Sequence, residues 1–440
     1  MAEEIARIAS SSSAVLRPVS NASRVTALQN IHEYLRAGKD KILEANKADM
    51  EAAEKANVAA PLIKRLDLSR GDKFDTMLQG VLDVASLPDP LGNITFANRL
   101  DDGLELYRVT CPIGVLLVIF ESRPEVIANI TALAIKSGNA VILKGGKESF
   151  HSFAAISGLI REALEGTEIP PGAVQLIESR QEVSELLKQD KYIDLVVPRG
   201  SNELVRSIKS NTKIPVLGHA DGLCSVYVHR DADVDMAARI VVDSKTNYVA
   251  ACNAAESLLL QRSALQSHLP TLAKALIDAG VSLKVTPEIS DSLKQAGVEG
   301  TASATIGSAE EKDFETEFLS FTIAVAAVEG VEEAIKHINS HSSKHTDSIV
   351  TASKEIAEKF LNGVDSSGVF WNASTRFSDG FRYGFGTEVG ISTSKIHARG
   401  PVGLEGLTCY QYQLRGTGQL VADYVGAGGK KEFKHENIDI

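Results

Sequence analysis

Short apolar runs alternate with longer amphipathic stretches from about residue 115 onward. Runs that are apolar at every position are typical of strands buried on both faces of a sheet. We predict strands at residues 115–120, 140–144, 193–197 and 214–217, and helices at residues 125–138, 149–164, 181–189 and 201–210. The first of these helices ends at Gly138, and Ser201 has a side chain suited to capping the last one. Strands separated by helices of this length predict a parallel sheet covered on both faces.

The same alternation resumes at about residue 225. Here we predict strands at residues 225–228, 257–261, 322–328 and 347–352, and helices at residues 234–245 and 263–280. Residues 21–57 carry apolar side chains at three- to four-residue steps, which predicts helices before the first sheet. The pattern therefore predicts an α/β protein with two doubly wound parallel-sheet domains. Residues 426–440 are polar and predicted to be a mobile tail.

The balance of residue types is that of an ordinary globular protein, with 44% hydrophobic and 23% charged residues among 440. A net charge of −11 argues against a nucleic-acid partner, which would need a basic face. No run approaches the ~18 apolar residues of a membrane span. The acidic start of the chain also has no apolar core of a secretory signal. We expect a cytoplasmic protein without nucleic-acid or membrane partners.

Cysteine is rare in this chain, and one cysteine has unusual neighbours. The four cysteines are Cys111, Cys224, Cys252 and Cys409. They form no CxxC pair, so neither a disulfide framework nor a metal site is expected. Cys252 lies among four alanines within residues 250–255. Such small neighbours suit either a buried structural cysteine or a nucleophile that a substrate must reach.

Two loops have residues suited to phosphate groups. Lys144 and Lys147 flank a Gly-Gly pair at the carboxyl end of a predicted strand, where α/β sheets bind ligands. Gly200 and Ser201 lie between a strand and a helix amino terminus, which favours phosphate binding. A basic turn and a simple helix cap are the alternatives. No GxGxxG sequence is present, so the ordinary dinucleotide fingerprint is missing.

Residues 371–401 form a long segment dense in Gly, Ser and Thr. It contains three arginines, Arg376, Arg382 and Arg399. Irregular segments of this kind often recognise anions, because guanidinium groups pair well with carboxylates and phosphates. The alternative is a solvated loop whose charges face water.

Five segments together resemble the gamma-glutamyl phosphate reductases, a family within the aldehyde dehydrogenase superfamily. They read YVAACNAAE from Tyr248, VILKGGKES from Val141, PRGSNELV from Pro198, VLGHADGLC from Val216, and WNASTRFSDGFRYGFGTEVGISTSKIHARGPVGLEGLT from Trp371. The resemblance runs to about Tyr412. It implies an aldehyde dehydrogenase-like fold with a cofactor-binding domain at residues 1–224, a catalytic domain at 225–398, a return segment at 399–425 and the tail at 426–440. An oligomerisation hairpin is expected near residues 98–112.

The resemblance also implies a reaction. NADPH would reduce L-glutamate 5-phosphate to L-glutamate 5-semialdehyde and phosphate, the second step from glutamate to proline. By the same resemblance Cys252 is the nucleophile that expels phosphate and forms a thioester. The Cys252 backbone N–H and Asn253 are then candidate donors to the oxyanion. Glu317 resembles the glutamate of the superfamily that contacts the nicotinamide ribose.

Two differences from the wider superfamily favour an NADPH-dependent reductase. Relatives that prefer NAD have Lys-x-x-Glu at the adenosine site, whereas this chain has Lys144-Gly-Gly-Lys147. The second lysine suits the 2′-phosphate of NADPH. Aldehyde-oxidising members carry a glutamate general base in the stretch that corresponds to residues 215–222, and this chain has no glutamate there.

Four arginines are the candidates for substrate anions: Arg123, Arg376, Arg382 and Arg399. Arg123 stands in ESRP, where oxidising relatives have an asparagine of the oxyanion hole. Binding of the leaving phosphate and pairing with Glu121 are both open for it.

The resemblance implies a homo-oligomer in which residues 105–114 and 407–416 pair across subunits. Glutamate 5-kinase is the implied pathway neighbour. Two alternatives to this function remain. One is a non-phosphorylating aldehyde dehydrogenase of related fold, against which the missing glutamate counts. The other is a catalytically silent binding protein, against which the intact Cys252 and loop motifs count.

Overall fold

The computed structural model describes residues 2–58, 60–120, 123–177, 179–200, 202–424 and 430–440. The chain begins with helices and an antiparallel hairpin, as follows: α1 (Ala2–Leu16), α2 (Asn21–Ala37), α3 (Lys39–Lys55), α4 (Ala60–Leu66), α5 (Lys73–Ser86), β1 (Ile94–Asp101) and β2 (Leu104–Pro112). The predicted helical stretch at residues 21–57 is therefore confirmed as two helices. Ser20 begins the first of them, because its Oγ accepts a hydrogen bond from the Ser23 N–H.

A first parallel sheet follows, built from β3 (Val115–Phe120), α6 (Val126–Lys136), β4 (Ala140–Lys144), α7 (Phe150–Leu164), β5 (Val174–Ile177), α8 (Arg180–Leu186), β6 (Leu195–Arg199) and α9 (Asn202–Asn211). Its strand order is β5-β4-β3-β6. The order reverses at β3, since β4 and β5 lie on one side of it and β6 on the other. Doubly wound sheets bind ligands at the carboxyl ends of the strands beside such a reversal.

One predicted strand of this region is wrong. Residues 214–217 make a single bridge, between Val196 and Val216, rather than a strand. They run along the outer edge of β6, where Pro215 has no N–H to donate to a ladder.

The second sheet has seven parallel strands, in the order β10-β9-β11-β8-β7-β12-β13. Its elements are β7 (Cys224–Val228), α10 (Val234–Thr246), β8 (Ala255–Gln261), α11 (Leu265–Asp278), β9 (Ser282–Val285), α12 (Pro287–Gln295), β10 (Ile306–Ser308), β11 (Thr322–Val328), α13 (Val331–His341), β12 (Thr346–Val350), α14 (Lys354–Gly363) and β13 (Gly368–Trp371). The order of the strands also reverses in this sheet, at β7, because β8 lies on one side of it and β12 on the other.

Side chains of the central strands point alternately to the two faces of the second sheet, so its hydrophobic core has two layers. On β8, Leu258 and Leu260 pack on the side of α10, α11 and α12, whereas Leu259 packs on the side of α13 and α14. All three leucines are buried. Because successive side chains of a strand point to opposite faces, an apolar run of this length needs helices on both sides. The predicted doubly wound α/β class is confirmed in both sheets.

A third, antiparallel sheet is formed by segments far apart in the sequence. After β14 (Gly390–Ser392) and β15 (Gly400–Val402), the chain continues into β16 (Thr408–Arg415) and β17 (Glu436–Asn437). The order of the third sheet is β16-β2-β1-β17. Residues 430–440, predicted as part of a mobile tail, thus contribute β17 beside β1.

The pairing of β2 with β16 differs from the sequence-based expectation. The expectation was that these segments pair across subunits, but they pair with each other over eight residues of one chain, from Thr408 opposite Pro112 to Arg415 opposite Glu105. This ladder uses only one side of β16, which is an edge strand of the sheet, and pairing of its outer side across subunits stays a prediction. Along β16, Tyr410, Tyr412 and Leu414 are exposed.

No helix in the described part of the chain is both long and apolar enough to span a bilayer.

Candidate active site

The edges of the two parallel sheets meet around Cys252. This residue lies three positions before β8, at the amino-terminal edge of the second sheet. Arg199 ends β6 at the carboxyl-terminal edge of the first sheet, and its positive charge acts on the Cys252 thiol. The reversal point of the first sheet therefore faces the cysteine, which is where a doubly wound sheet positions a ligand.

The backbone of Cys252 is held tightly from three sides. Gly222 packs so closely that a Cβ on it would overlap the Cys252 main chain, so only glycine fits there. The Cys224 thiol donates to the Cys252 carbonyl at 3.4 Å. Thr375 Oγ1 donates to the next carbonyl, that of Asn253, at 2.7 Å. The nucleophile candidate thus sits on a rigid support, as an active site requires.

The environment of the Cys252 sulfur favours the neutral thiol. Burial, together with the negative charges of Glu317 and Glu388, raises the pKa of Cys252 to about 12. Arg199 acts in the opposite direction but does not compensate for burial. At neutral pH the thiolate is therefore a minor species, and attack on a carbonyl carbon requires removal of the proton.

Two histidines that sequence reasoning did not assign lie beside this thiol. His345 Nε2 is 3.2 Å from Cys252 Sγ, and its Nδ1 is 2.9 Å from Thr346 Oγ1. The ring of His219 meets the His345 ring edge-on, with 5.1 Å between centroids. Burial lowers the pKa of both histidines, that of His345 well below its ordinary value. Both imidazoles are therefore neutral at pH 7.

The same three side chains are the one group in the described residues that could offer three ligand atoms to a metal ion. The ligand atoms of His219, Cys252 and His345 all lie within 4.8 Å of one another. The sequence predicts no metal here.

Glu317 lies close to Cys252, on the second sheet's side of the site. Its carboxylate accepts hydrogen bonds from the Gly222 N–H and the Asn202 side chain, and burial raises its pKa. Because Gly222 also packs on Cys252, the Glu317 carboxylate and the sulfur share one support. The predicted contact with a nicotinamide ribose stays a prediction.

The three arginines of the loop at residues 371–401 have different surroundings. Arg376 is 8% exposed, its Nε donates to Asn247 Oδ1 at 3.4 Å, and no described carboxylate pairs with it. Its charge is coupled to the Cys252 thiol. Arg382 instead pairs with Asp379.

Arg399 belongs to a cluster around Asp365. Its Nη1 is 3.2 Å from the Asp365 carboxylate, which also binds Lys344 at 2.9 Å and Lys395 at 2.8 Å. These hydrogen bonds hold the pKa of Asp365 well below its usual range. Arg376 is therefore the loop arginine whose charge remains available beside the sulfur.

Arg199 and Glu388 are further charged groups near the sulfur that sequence reasoning missed. Burial lowers the pKa of Arg199, with Glu388 opposing this effect and Arg123 adding to it. Glu388 Oε2 accepts the Gly380 N–H at 2.8 Å, and burial raises its pKa. Arg123, predicted to bind substrate, thus lies on the same side of the site as Arg199.

Asn253, predicted to help bind an oxyanion, makes a contact inside the chain. Its side chain is 3% exposed, and Nδ2 donates to the Ser378 carbonyl at 3.0 Å. This bond and the Thr375 bond tie the cysteine loop to the arginine-bearing segment.

The predicted phosphate loop after β4 has a shallow cavity beside it. Lys147 is exposed, and with Asp49, Ala52, Glu148, Phe150 and His151 it lines a volume of ≈ 400 Å³. Lys144 is buried and donates to the Gly145 carbonyl. Gly200 is exposed at the end of β6, and Ser201 lies outside the described residues.

The first N–H groups of α7, beside this cavity, already have a hydrogen-bond acceptor, the carboxylate of Asp49. The Asp49 carboxylate accepts the His151 N–H at 3.0 Å, the Ser152 N–H at 2.8 Å and the Ser152 hydroxyl at 2.6 Å. Asp49 therefore satisfies the first N–H groups of α7, and both its carboxylate and that of Glu148 line the cavity beside Lys147. Lys147 is the one lysine among the described residues that line this cavity, and its contact with a phosphate of a cofactor stays a prediction.

The chain is similar to known proteins over nearly its whole length. The aldehyde dehydrogenase family model matches residues 1–294. A probable gamma-glutamyl phosphate reductase of Schizosaccharomyces pombe is 56% identical over 442 residues, covering 100% of this chain and 97% of the relative. The gamma-glutamyl phosphate reductase of Saccharomyces cerevisiae is also 56% identical, covering 100% of this chain and 98% of the relative.

Solved structures give the same result. The crystal structure of gamma-glutamyl phosphate reductase from Thermotoga maritima superposes with a TM-score of 0.90 at 37% identity, covering 95% of this chain and 99% of that one. More distant proteins share the fold alone, among them a Staphylococcus aureus betaine aldehyde dehydrogenase in complex with NAD+, at a TM-score of 0.63 and 17% identity over 96% of this chain and 88% of that one. An engineered glycolyl-CoA reductase with bound NADP+ also has a TM-score of 0.63, at 16% identity over 94% of this chain and 96% of that one.

Proposed function

The chain belongs to the gamma-glutamyl phosphate reductases of the aldehyde dehydrogenase family, and on this premise we propose that Cys252 is its covalent nucleophile and NADPH its reductant. The enzyme is an oxidoreductase of proline biosynthesis. It reduces L-glutamate 5-phosphate to L-glutamate 5-semialdehyde with release of phosphate, the second step from glutamate.

The observation that carries the nucleophile proposal is a comparison of the surroundings and accessibility of the four cysteines. Cys111 and Cys409 lie opposite each other on the neighbouring strands β2 and β16 of the third sheet, with 3.6 Å between their sulfurs. Cys224 is fully enclosed, and its sulfur is engaged with the Cys252 carbonyl. Cys252 is partly accessible and has charged groups of both sheets around it.

The proposed chemistry uses a thioester on Cys252. The sulfur attacks the acyl carbon of the acyl phosphate, the C–O bond to phosphate breaks, and a thioester remains. A bound nicotinamide cofactor supplies the hydride that brings the thioester carbon to the aldehyde level. The Cys252 N–H and Asn253 are the proposed oxyanion donors. No glutamate occurs at residues 215–222, which disfavours loss of the thioester to water.

Buried arginine charge near Cys252 supports recognition of the two anionic ends of the substrate. We assign this role first to Arg376 and Arg199, because no described carboxylate lies within ion-pair distance of either, although the charge of Glu388 acts on Arg199. Arg123 is a further candidate beside Arg199. Arg382 and Arg399 are already paired, and a role in substrate binding would add to those contacts.

Replacing Arg376 by Gln should weaken binding of one anionic substrate. A hydrogen bond to a charged group contributes about 1.5–3 kcal/mol, so we expect the KM for either phosphate or the semialdehyde to rise about 10- to 100-fold in the reverse reaction. The KM for NADP should not change. Steady-state kinetics with each substrate varied separately measures this, with the exposed α10 residue in Arg239→Gln as the matched control. Unchanged KM values for both anions would remove Arg376 from substrate binding.

Lys147 supports the choice of NADPH over NADH. Its ammonium borders the cavity after β4, where the neighbouring Asp49 carboxylate is hydrogen-bonded to the first N–H groups of α7. A 2′-phosphate there would gain a charge-assisted hydrogen bond that NADH cannot make.

Replacing Lys147 by Glu should therefore move the preference from NADPH toward NADH. We expect the ratio of kcat/KM for the two cofactors to fall about 10- to 100-fold, since one charged hydrogen bond is lost and a repulsion is added. Parallel kinetics with both cofactors measures the ratio. Lys188→Glu changes an exposed lysine outside the cavity lining by the same charge and should leave the ratio unaltered. An unchanged ratio in Lys147→Glu would mean that the 2′-phosphate binds elsewhere.

The reverse reaction tests the function as a whole. Purified protein is mixed with NADP and pyrroline-5-carboxylate, which equilibrates with the semialdehyde, with and without inorganic phosphate. Phosphate-dependent NADPH formation is expected. Phosphate-independent formation would indicate a hydrolytic aldehyde dehydrogenase, and no formation under either condition would indicate a silent binding protein. A cytoplasmic location, a homo-oligomer and glutamate 5-kinase as pathway neighbour stay predictions from the sequence.

A further inference from the structure

The Cys252 thiol needs a proton acceptor that the resemblance to aldehyde dehydrogenases does not provide. Its surroundings favour the protonated sulfur, since burial and two nearby carboxylates oppose the thiolate. An uncharged thiol is a weak nucleophile toward a carbonyl carbon. A base within hydrogen-bond reach of the sulfur solves this problem.

Geometry singles out one side chain for this role. His345 Nε2 is 3.2 Å from Cys252 Sγ, within hydrogen-bond reach of a sulfur donor. The other ring nitrogen, Nδ1, is 2.9 Å from Thr346 Oγ1. One tautomer satisfies both contacts: Nδ1–H donates to Thr346 Oγ1, and Nε2 accepts the proton of the thiol. Cys252 as nucleophile, His345 as base and Thr346 as orienting group are thus connected by hydrogen bonds, as in other enzymes with an activated nucleophile.

Among the described residues, His345 is the side chain that makes a hydrogen bond with Cys252 Sγ, whereas the other charged and titratable groups act on the pair through their charge. The groups that act on the sulfur or on His345 come from several elements: Arg199 of β6, His219 before β7, Cys224 at the start of β7, Glu317 before β11, and Arg376 and Glu388 of the loop before β14. His219 directs its Nδ1 to the Ile391 carbonyl at 3.2 Å. Glu388 is bonded to the Gly380 N–H. His345 is fully buried and its neutral ring leaves Nε2 as an acceptor for the thiol proton; because burial also lowers its pKa, the proton moves as the S–C bond forms and not before it.

We propose that His345 is the catalytic base for Cys252, accepting the thiol proton as sulfur attacks and passing it to the departing phosphate. This role rests on the proposed function of Cys252 as nucleophile. In the first step the S–H bond breaks, the proton moves to Nε2, and the S–C bond forms. In the second step the C–O bond breaks, phosphate leaves with both bonding electrons, and Nε2 returns the proton to it.

The remaining proton comes from solvent. After reduction of the thioester, the C=O bond of the aldehyde re-forms and the C–S bond breaks, leaving a thiolate. The thiolate takes up one solvent proton, which restores the thiol beside the imidazole that is already neutral. The sum consumes one proton per turnover, as reduction of an acyl phosphate to an aldehyde and hydrogen phosphate requires.

Alkylation of Cys252 by iodoacetamide tests the base without any substrate or cofactor. The full chain is treated over a range of pH, and the modified peptide is quantified by mass spectrometry, which separates Cys252 from the other three cysteines. In His345→Gln we expect the rate at pH 7 to fall about 100-fold, within the range contributed by general bases. The deficit should shrink as pH rises, because hydroxide then ionises the thiol directly. His337→Gln, on α13, changes another histidine whose pKa is lowered by burial and should behave as the wild type.

Two further measurements complete the test. The kcat of the reverse reaction in His345→Gln should fall about 10²–10⁴-fold with little change in KM. Thr346→Val keeps the shape of the side chain but removes the Oγ1 that orients His345. If His345→Gln does not fold, this positioning variant decides, with an expected fall of about tenfold in the alkylation rate at pH 7. Coinciding pH profiles in wild type and variant would overturn the proposal, even with phosphate-dependent NADPH formation intact. If the wild type shows no phosphate-dependent NADPH formation, the proposed function is wrong. The alkylation rates then still decide whether His345 is the base for the Cys252 thiol.

Discussion

Replacement of Cys252 by alanine is expected to reduce phosphate-dependent NADPH formation by at least about 10⁴-fold, the order of loss seen when a covalent nucleophile is removed from an enzyme. The reason is chemical rather than structural. Without sulfur no thioester forms, and the neighbouring groups can only bind and polarise the substrate. Cys252 is partly accessible, its backbone is supported by Gly222 and Cys224, and Thr375 holds the next carbonyl, so the smaller side chain should leave the site folded.

The measurement pairs kinetics with cofactor binding. NADPH fluorescence titration should give the same Kd for Cys252→Ala and the wild type, whereas turnover disappears. Cys409→Ala is the matched control, since this cysteine lies opposite Cys111 on the third sheet and away from the site. Turnover in Cys252→Ala above one-tenth of the wild-type value would rule out the covalent mechanism.

The strands that could be predicted from sequence are those buried on both faces. Val115–Phe120, Ala140–Lys144 and Thr322–Val328 have the bounds expected from their apolar runs. Residues 214–217 looked similar but lie along a sheet edge with a proline, where few ladder bonds form. The partner of β2 and the position of β17 were beyond prediction, because pairing between segments about 300 residues apart depends on the completed fold.

The site could be predicted only where its residues carried a local signal. Cys252 had its alanine neighbours and a recognisable motif, and Lys147 had its glycine pair. His345 had neither, since it lies 93 residues from Cys252 and meets it because β8 and β12 begin at the same edge of the second sheet. Arg199 was overlooked for a related reason: the glycine and serine after it looked like the functional part of the loop. A useful signal for both residues is that they lie near the ends of predicted strands, because the corresponding ends of parallel strands lie together at one edge of the sheet.

A buried ion pair next to the site is a further feature with no signal in the sequence. Lys245 of α10 and Glu256 of β8 are 0% and 1% exposed, with 2.5 Å between Nζ and Oε2. Burial lowers the pKa of Lys245 and raises that of Glu256 to about 7. The second carboxylate oxygen, Oε1, accepts the Leu319 N–H at 3.3 Å. Leu319 has φ = 52°, an uncommon conformation for a bulky residue, and follows Glu317 by two positions.

Replacement of Lys245 by methionine should destabilise the protein by about 3–5 kcal/mol, because it leaves the Glu256 charge buried without a partner. Urea unfolding followed by circular dichroism measures the change. The additional exchange Glu256→Gln should restore most of the loss, since the amide keeps an acceptor for the Leu319 N–H and no charge remains. Lys359→Met, which breaks the exposed pair with Glu332, should have a much smaller effect.

The loss in Lys245→Met should also depend on pH in a defined direction. Burial already raises the pKa of Glu256 above its ordinary value of 4.5, and removal of the ammonium takes away the contact that lowers it. A carboxyl group whose pKa is raised on folding binds its proton more tightly in the folded state, so stability falls as pH rises past 4.5. We therefore expect the deficit of Lys245→Met to be smaller at pH 5 than at pH 8, and the Glu256→Gln double variant to lose this dependence. An equal deficit at both pH values would mean that the lysine stabilises the fold by packing rather than by charge.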